Sequence, residues 1–196
     1  MTALARRSLV PEILDRLAAD DQRALRSRRD LARINALMFQ APIMASLMRK
    51  FLPRPPGRIL EIGAGDGTFM LKVARRMARD WQDMELTMLD RVGLVTPKLA
   101  ADFAALGWTV KTITADVFDW AEEGEGRPFD AITVNLFLHH LDDDGLLRLF
   151  SLLRRKAPLI LATEPLRAGL ALAAARLLWA IGANDVTRHD ATQSVR

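Results

Sequence analysis

Apolar positions along this chain follow a helical period first and a mixed one afterwards. Before Pro53, Ile13, Leu14 and Leu17, then Leu25, Leu31, Ile34, Leu37 and Met38, recur at three- and four-residue spacing. That spacing predicts helices over residues 9–50, with Pro11 and Pro42 suited to first turns. After Gly57, short apolar runs alternate with amphipathic stretches. "RILEI", "MELTMLD", "TVKTITADV", "FDAITVNLFL" and "PLILATEP" read as strands. "GTFMLKVARRMARD", "TPKLAADFAALGW", "DDDGLLRLFSLLRRKA" and "LRAGLALAAARLLWAIGA" read as helices between and after them. Strands alternating with helices predict an α/β fold with a mainly parallel sheet, doubly wound and covered on both faces. The strands are nearly continuous in apolar residues, as strands buried on both sides are.

The proline-rich "PRPPG" at 53–57 breaks the pattern. It divides a helical N-terminal cap (1–52) from a main domain (58–196). Composition narrows the picture further. There is no cysteine, which rules out disulfide frameworks and thiolate metal sites and fits a reducing cytoplasm. The N-terminus lacks an apolar signal core. The alanine-rich stretch Ala168 to Ala183 is short for a bilayer and is interrupted by Arg176, so it reads as a buried helix. The net charge is +4, and residues 1–35 carry eight arginines against five acids. No aromatic residue interleaves with those arginines, so a platform for stacking single-stranded nucleic acid is not indicated.

The candidate chemistry begins at "EIGAGDG", residues 61–67, where an apolar strand runs into three glycines and then a helix. In an open parallel sheet, ligands bind at the carboxyl ends of the strands, and glycines there let a ligand approach the backbone. A phosphate-binding P-loop needs Lys-Ser or Lys-Thr after the last glycine, but Thr68 and Phe69 follow Gly67. The dinucleotide fingerprint needs glycine or alanine at position 68, which is Thr68. Glu61 stands two residues before Gly63, where it would repel a pyrophosphate and suit a cationic group. S-adenosylmethionine offers a sulfonium, an ammonium and two ribose hydroxyls. Asp90 closes the second strand, where a carboxylate can accept both ribose hydroxyls. Asp116 ends the third, where a carboxylate can accept from an adenine amine beside the Val117 backbone N–H. The alternatives are a turn with no ligand, and aspartates serving as helix caps.

"LEIGAGDG", Asp90, "ADVF" and "FDAITVNLFLHHL", in that order and spacing, resemble the class I S-adenosylmethionine-dependent methyltransferases, and most closely their small-molecule branch of quinone-biosynthesis-like and polyketide-tailoring-like enzymes. The resemblance covers residues 57–182 and implies a Rossmann-like fold. It implies that Glu61, Gly63, Ala64, Gly65 and Gly67 contact the methionine part, Asp90 with Arg91 the ribose, and Asp116 with Val117 the adenine. Asn135 and Leu136 would lie beneath the sulfonium. Arg91 departs from the family, which often has a small or acidic residue there. The family's sheet also ends in an antiparallel hairpin of sixth and seventh strands. This sequence stops at Arg196 first, which implies either a chain truncated there or a sheet completed some other way.

His139 and His140 are the candidate general bases, with Glu164 near the same rim and His189 further along. Histidines at this turn also serve only to complete it. Three histidines without metal-pair spacing predict no metal. The fourth strand tip, "NLFL", lacks the proline-proline-aromatic turn of DNA amino-methyltransferases, which argues against methylation of a base amine; nothing in the sequence points to an RNA or protein substrate, and no nucleic-acid partner is expected. The expected activity is methyl transfer from S-adenosylmethionine to oxygen or carbon of a small apolar or aromatic acceptor. The rival readings are a nicotinamide-dependent oxidoreductase and a non-catalytic methyltransferase-fold binding module.

Overall fold

A computed structural model describes residues 39–52, 54–123 and 128–164, together with Leu17, Asp21–Arg23, Arg26, Ser27, Asp30, Val186 and Thr187. Most of the stretch 9–38 expected to be helical, the helix expected over 166–183, and His189 lie outside the described residues. Chain contacts separate two compact units: residues 39–138 with 143–163, and residues 1–38 with 139–142 and 164–196.

The first unit is built on five parallel strands: β1 (Arg58–Ile62), β2 (Met84–Asp90), β3 (Trp108–Thr114), β4 (Ala131–Asn135) and β5 (Ile160–Thr163). They lie in the order β3-β2-β1-β4-β5. The chain therefore steps outward from β1 to β3 and then crosses back to β4 on the other side of β1. Right-handed crossovers in opposite directions place their helices on opposite faces. The helices are α1 (Gln40–Phe51), α2 (Thr68–Met77), α3 (Pro97–Ala104), α4 (Val117–Glu122) and α5 (Asp143–Leu153). Helices α1, α2 and α3 form one packed series and α4 pairs with α5. The reversal between β1 and β4 is the switch point at which such sheets open a crevice.

The largest core cluster lies under α1, α2 and α3. Met44, Met48, Met70, Met77, Met84 and Met88 are all within 2% of complete burial, beside Phe103 and Trp108. Trp108 also satisfies its indole N–H by donating to the Trp81 carbonyl at 3.0 Å. Across the N-terminal end of the strands, Arg58 and Lys111 each reach Glu85 at 2.8 Å and hold its carboxyl below the usual range.

Three strands are shorter than the apolar pattern predicts, β5 among them at Ile160–Thr163. β3 stops at Thr114, not near Asp116, because Asp116 is the N-cap of α4 and accepts from the Phe118 N–H at 2.8 Å. β4 stops at Asn135, because Leu136 turns into the left-handed region (φ 53°) and a 3-10 turn follows at Leu138–His140. Among the described residues no helix is long and apolar enough to cross a membrane.

Candidate functional site

The loop after β1 is shaped by its glycines and by one carboxylate. Gly63, Gly65 and Gly67 have φ of 69°, 55° and 77°, a region open to glycine and costly for other residues. The Gly63 and Ala64 N–H groups both donate to the Leu89 carbonyl, so the loop begins as a continuation of the β1–β2 ladder. Asp90 then fixes its middle: Oδ2 accepts from the Gly65 N–H at 2.8 Å, and Oδ1 accepts from the Val92 N–H at 2.9 Å. A carboxylate has about four acceptor positions, so two remain. Gly67 has no side chain to cap α2. Asp66 does this from one residue earlier, accepting from the Thr68 N–H at 3.0 Å and its hydroxyl at 2.7 Å.

The three glycines do different work. A Cβ on Gly67 would fall 2.5 Å from Leu99 and 2.9 Å from the Met88 sulfur, and one on Gly63 would fall 2.7 Å from the Phe137 ring. These two are required by packing. A Cβ on Gly65 would meet nothing within 4 Å. Gly65 instead faces a cleft of about 90 Å³ that it forms with Ala64, Met88, Asp90, Val95 and Thr114. The open backbone at Gly65 and the acceptor capacity of Asp90 fit a ligand with vicinal hydroxyls. Met88, Val95 and Thr114 were not singled out from the sequence. They belong to β2, β3 and the loop after β2, and only the strand pairing brings them to the cleft.

Glu61 lies elsewhere. It is 1% exposed within β1, opposite Thr133 of β4, whose hydroxyl donates to Glu61 Oε2. Burial pushes its carboxyl up to about 8, partly offset by the Thr133 hydrogen bond. It is therefore held mainly neutral at pH 7, beneath the loop. Asp116 uses Oδ1 as the α4 cap, and Val117, the first residue of that helix, is buried. Asn135 is 8% exposed and its Oδ1 accepts from the Thr163 hydroxyl at 2.8 Å, while the Leu136 N–H donates to the Thr163 carbonyl. Arg91 is exposed. The cleft thus gathers Ala64, Gly65 and Asp90 of the predicted cofactor residues, and leaves Glu61, Gly63, Gly67, Arg91, Asp116, Val117, Asn135 and Leu136 outside its lining.

In the second unit, His139 Nδ1 lies 2.7 Å from Glu164 Oε2, and the rings of His139 and His140 stack with centroids 4.2 Å apart. A carboxylate on one imidazole nitrogen fixes the tautomer and raises the basicity of the other. Among the described residues no cluster of side chains has the make-up of a metal site.

Residues 59–156, half of the chain, match the family model of the methyltransferase domain. No curated protein matches the sequence. The fold is similar to that of the plantazolicin methyltransferase BpumL in complex with SAH, at 15% identity and a TM-score of 0.61, covering 89% of this chain and 65% of that one. It is also similar to an O-methyltransferase family protein from Burkholderia thailandensis, at 17% identity and a TM-score of 0.56, covering 86% of this chain and 50% of that one. The chain spans less than two thirds of the length of either.

Proposed function

This chain belongs to the methyltransferase domain family, and from that premise we propose that it binds S-adenosylmethionine at the Gly65–Asp90 cleft and methylates a small apolar or aromatic acceptor at oxygen or carbon. One observation carries the reading. The unhindered backbone of Gly65 and the half-engaged carboxylate of Asp90 meet at the carboxyl ends of the two strands beside the switch point. When bound, S-adenosylmethionine supplies a methyl group already activated on a sulfonium.

The chain's own residues then have distinct tasks. Asp90 accepts the ribose hydroxyls with its two remaining positions, with Arg91 beside it. Asp116 offers its second oxygen to the adenine amine, next to Val117. Gly63, Ala64, Gly65 and Gly67 let the methionine part lie close to the loop, while Glu61 acts from beneath it. Asn135 and Leu136, at the turn after β4, bound the reacting end. Holding nucleophile and methyl in line supplies much of the rate in such a transfer. Where the acceptor is a hydroxyl, His139 is the base, with Glu164 fixing its tautomer and His140 stacked beside it. The absence of cysteine supports a cytoplasmic setting.

Isothermal titration with S-adenosylhomocysteine tests this. Heat of binding is expected from the folded chain, and Asp90→Ala is expected to weaken it more than tenfold, or about 1.4 kcal/mol. A folded sample that gives no heat, or that binds NADH instead, overturns the reading.

A further inference from the structure

The packed pair α1–α2 carries a second surface feature, independent of the cleft. From Phe39 to Leu60, and again from Gly67 to Arg79, the sequence contains no acid. Six cations there are exposed: Arg49, Lys50 and Arg54 in and after α1, and Arg75, Arg76 and Arg79 in and after α2. The two helices bring these sets together, because the Arg49 guanidinium donates to the Arg76 carbonyl. Among the described residues, Asp80 follows Arg79 in the sequence and Asp102 stands on α3. Asp102 is engaged by Lys98 at 3.1 Å and lies 4.0 Å from Arg75.

Large apolar side chains of α1 are exposed as well. Phe39 is 67% exposed, Ile43 46% and Phe51 49%, and the Lys50 ammonium sits 5.3 Å over the Phe51 ring. Phe39 precedes α1 in the left-handed conformation (φ 54°), four residues before Ile43. Helix dipoles favour basic residues in the last turns of α1 and α2, and so account for four of the cations. They give no reason for three bare apolar side chains beside them. Cations flanking exposed apolar residues on a surface helix are the pattern by which a protein lies on an anionic bilayer: the apolar groups enter the headgroup boundary and the cations meet the lipid phosphates. Nucleic acid would match the charge, and the Phe39 and Phe51 rings could stack on its bases, but the exposed aliphatic Ile43 fits the headgroup boundary and not a base.

We propose that the α1–α2 face docks on membranes rich in anionic phospholipid. The test uses the full chain and reads no methyl transfer, so it stands apart from the cleft assignment. Vesicles of phosphatidylcholine, with and without roughly a third phosphatidylglycerol, are sedimented with the protein. The protein is expected to pellet with the anionic vesicles only, and less so as salt rises. Arg75→Glu with Arg76→Glu, and separately Phe39→Ser with Ile43→Ser, should each lower partitioning more than about tenfold with an unchanged circular-dichroism melt. If the glutamate pair does not fold, Arg75→Gln with Arg76→Gln replaces it. The proposal is overturned if the chain stays in the supernatant, if it pellets equally with neutral vesicles, or if either pair of substitutions leaves partitioning intact. Retention on an oligonucleotide without pelleting, or a dimer abolished by the Phe39 and Ile43 changes, would also overturn it.

Discussion

Glu61 shows how much of this site depends on a single side chain's surroundings. Its carboxyl has almost no water and one hydroxyl partner, Thr133. In the folded protein it keeps its proton up to about pH 8, whereas in the unfolded chain it loses it near 4.5. Between those values the folded state binds more protons than the unfolded state, so this group's contribution to stability falls as pH rises through the window. The full loss is on the order of 5 kcal/mol. Glu61→Gln keeps the shape and removes the titration. Urea unfolding at about pH 5 and about pH 8 should therefore show a steeper decline for the parent chain than for the variant. Equal slopes would mean that the acid is not desolvated as described. A buried carboxyl costs stability above its unfolded pKa, and a cationic ligand nearby would favour its charged form.

At the scale of the element, the turn from β1 to α2 separates two uses of glycine that look identical in the sequence. Gly65 and Gly67 both have positive φ, so alanine strains the backbone similarly at each, by about 1 kcal/mol. The difference is the space around them. Gly67→Ala should lower the melting temperature more, because its Cβ meets Leu99 and Met88. Gly65→Ala should melt closer to the parent chain but bind S-adenosylhomocysteine far more weakly, because its Cβ enters the cleft. Thermal denaturation and titration on the same two variants check both halves. The same distinction separates what the sequence makes legible from what it hides. β1 and β2 matched their sequence readings because each is an apolar run closed by a glycine or an acid. Helix α4, at six residues, is too short for a helical period to register, so Asp116 reads as the end of a strand and not as a helix cap. The left-handed turn at Leu136 left no mark either, since leucine gives no sign of positive φ. Asp90 was placed correctly as a strand end. That its carboxylate also ties down Gly65 and Val92 depends on the register between β1 and β2, which spacing alone does not reveal.

For the molecule as a whole, two compact units mean that heat need not unfold the chain in a single step. The Gly65–Asp90 cleft belongs entirely to the unit holding the sheet. S-adenosylhomocysteine at about a hundred times its dissociation constant should stabilise that unit by about 2.7 kcal/mol. In a calorimetric scan, the ligand should move the transition of the sheet unit upward by several degrees and move any separate transition of the other unit less. A uniform shift of both would show that they melt as one body. The methionines of the core have a further use. Six of the chain's eight are buried in the unit holding the sheet, and Met88 touches Gly67 on one side and the cleft on the other. With no cysteine available for labelling, a carbon-13 methyl signal from Met88 would report occupancy of the cleft. Those of Met44 and Met48, which do not line it, would serve as internal references in the same spectrum.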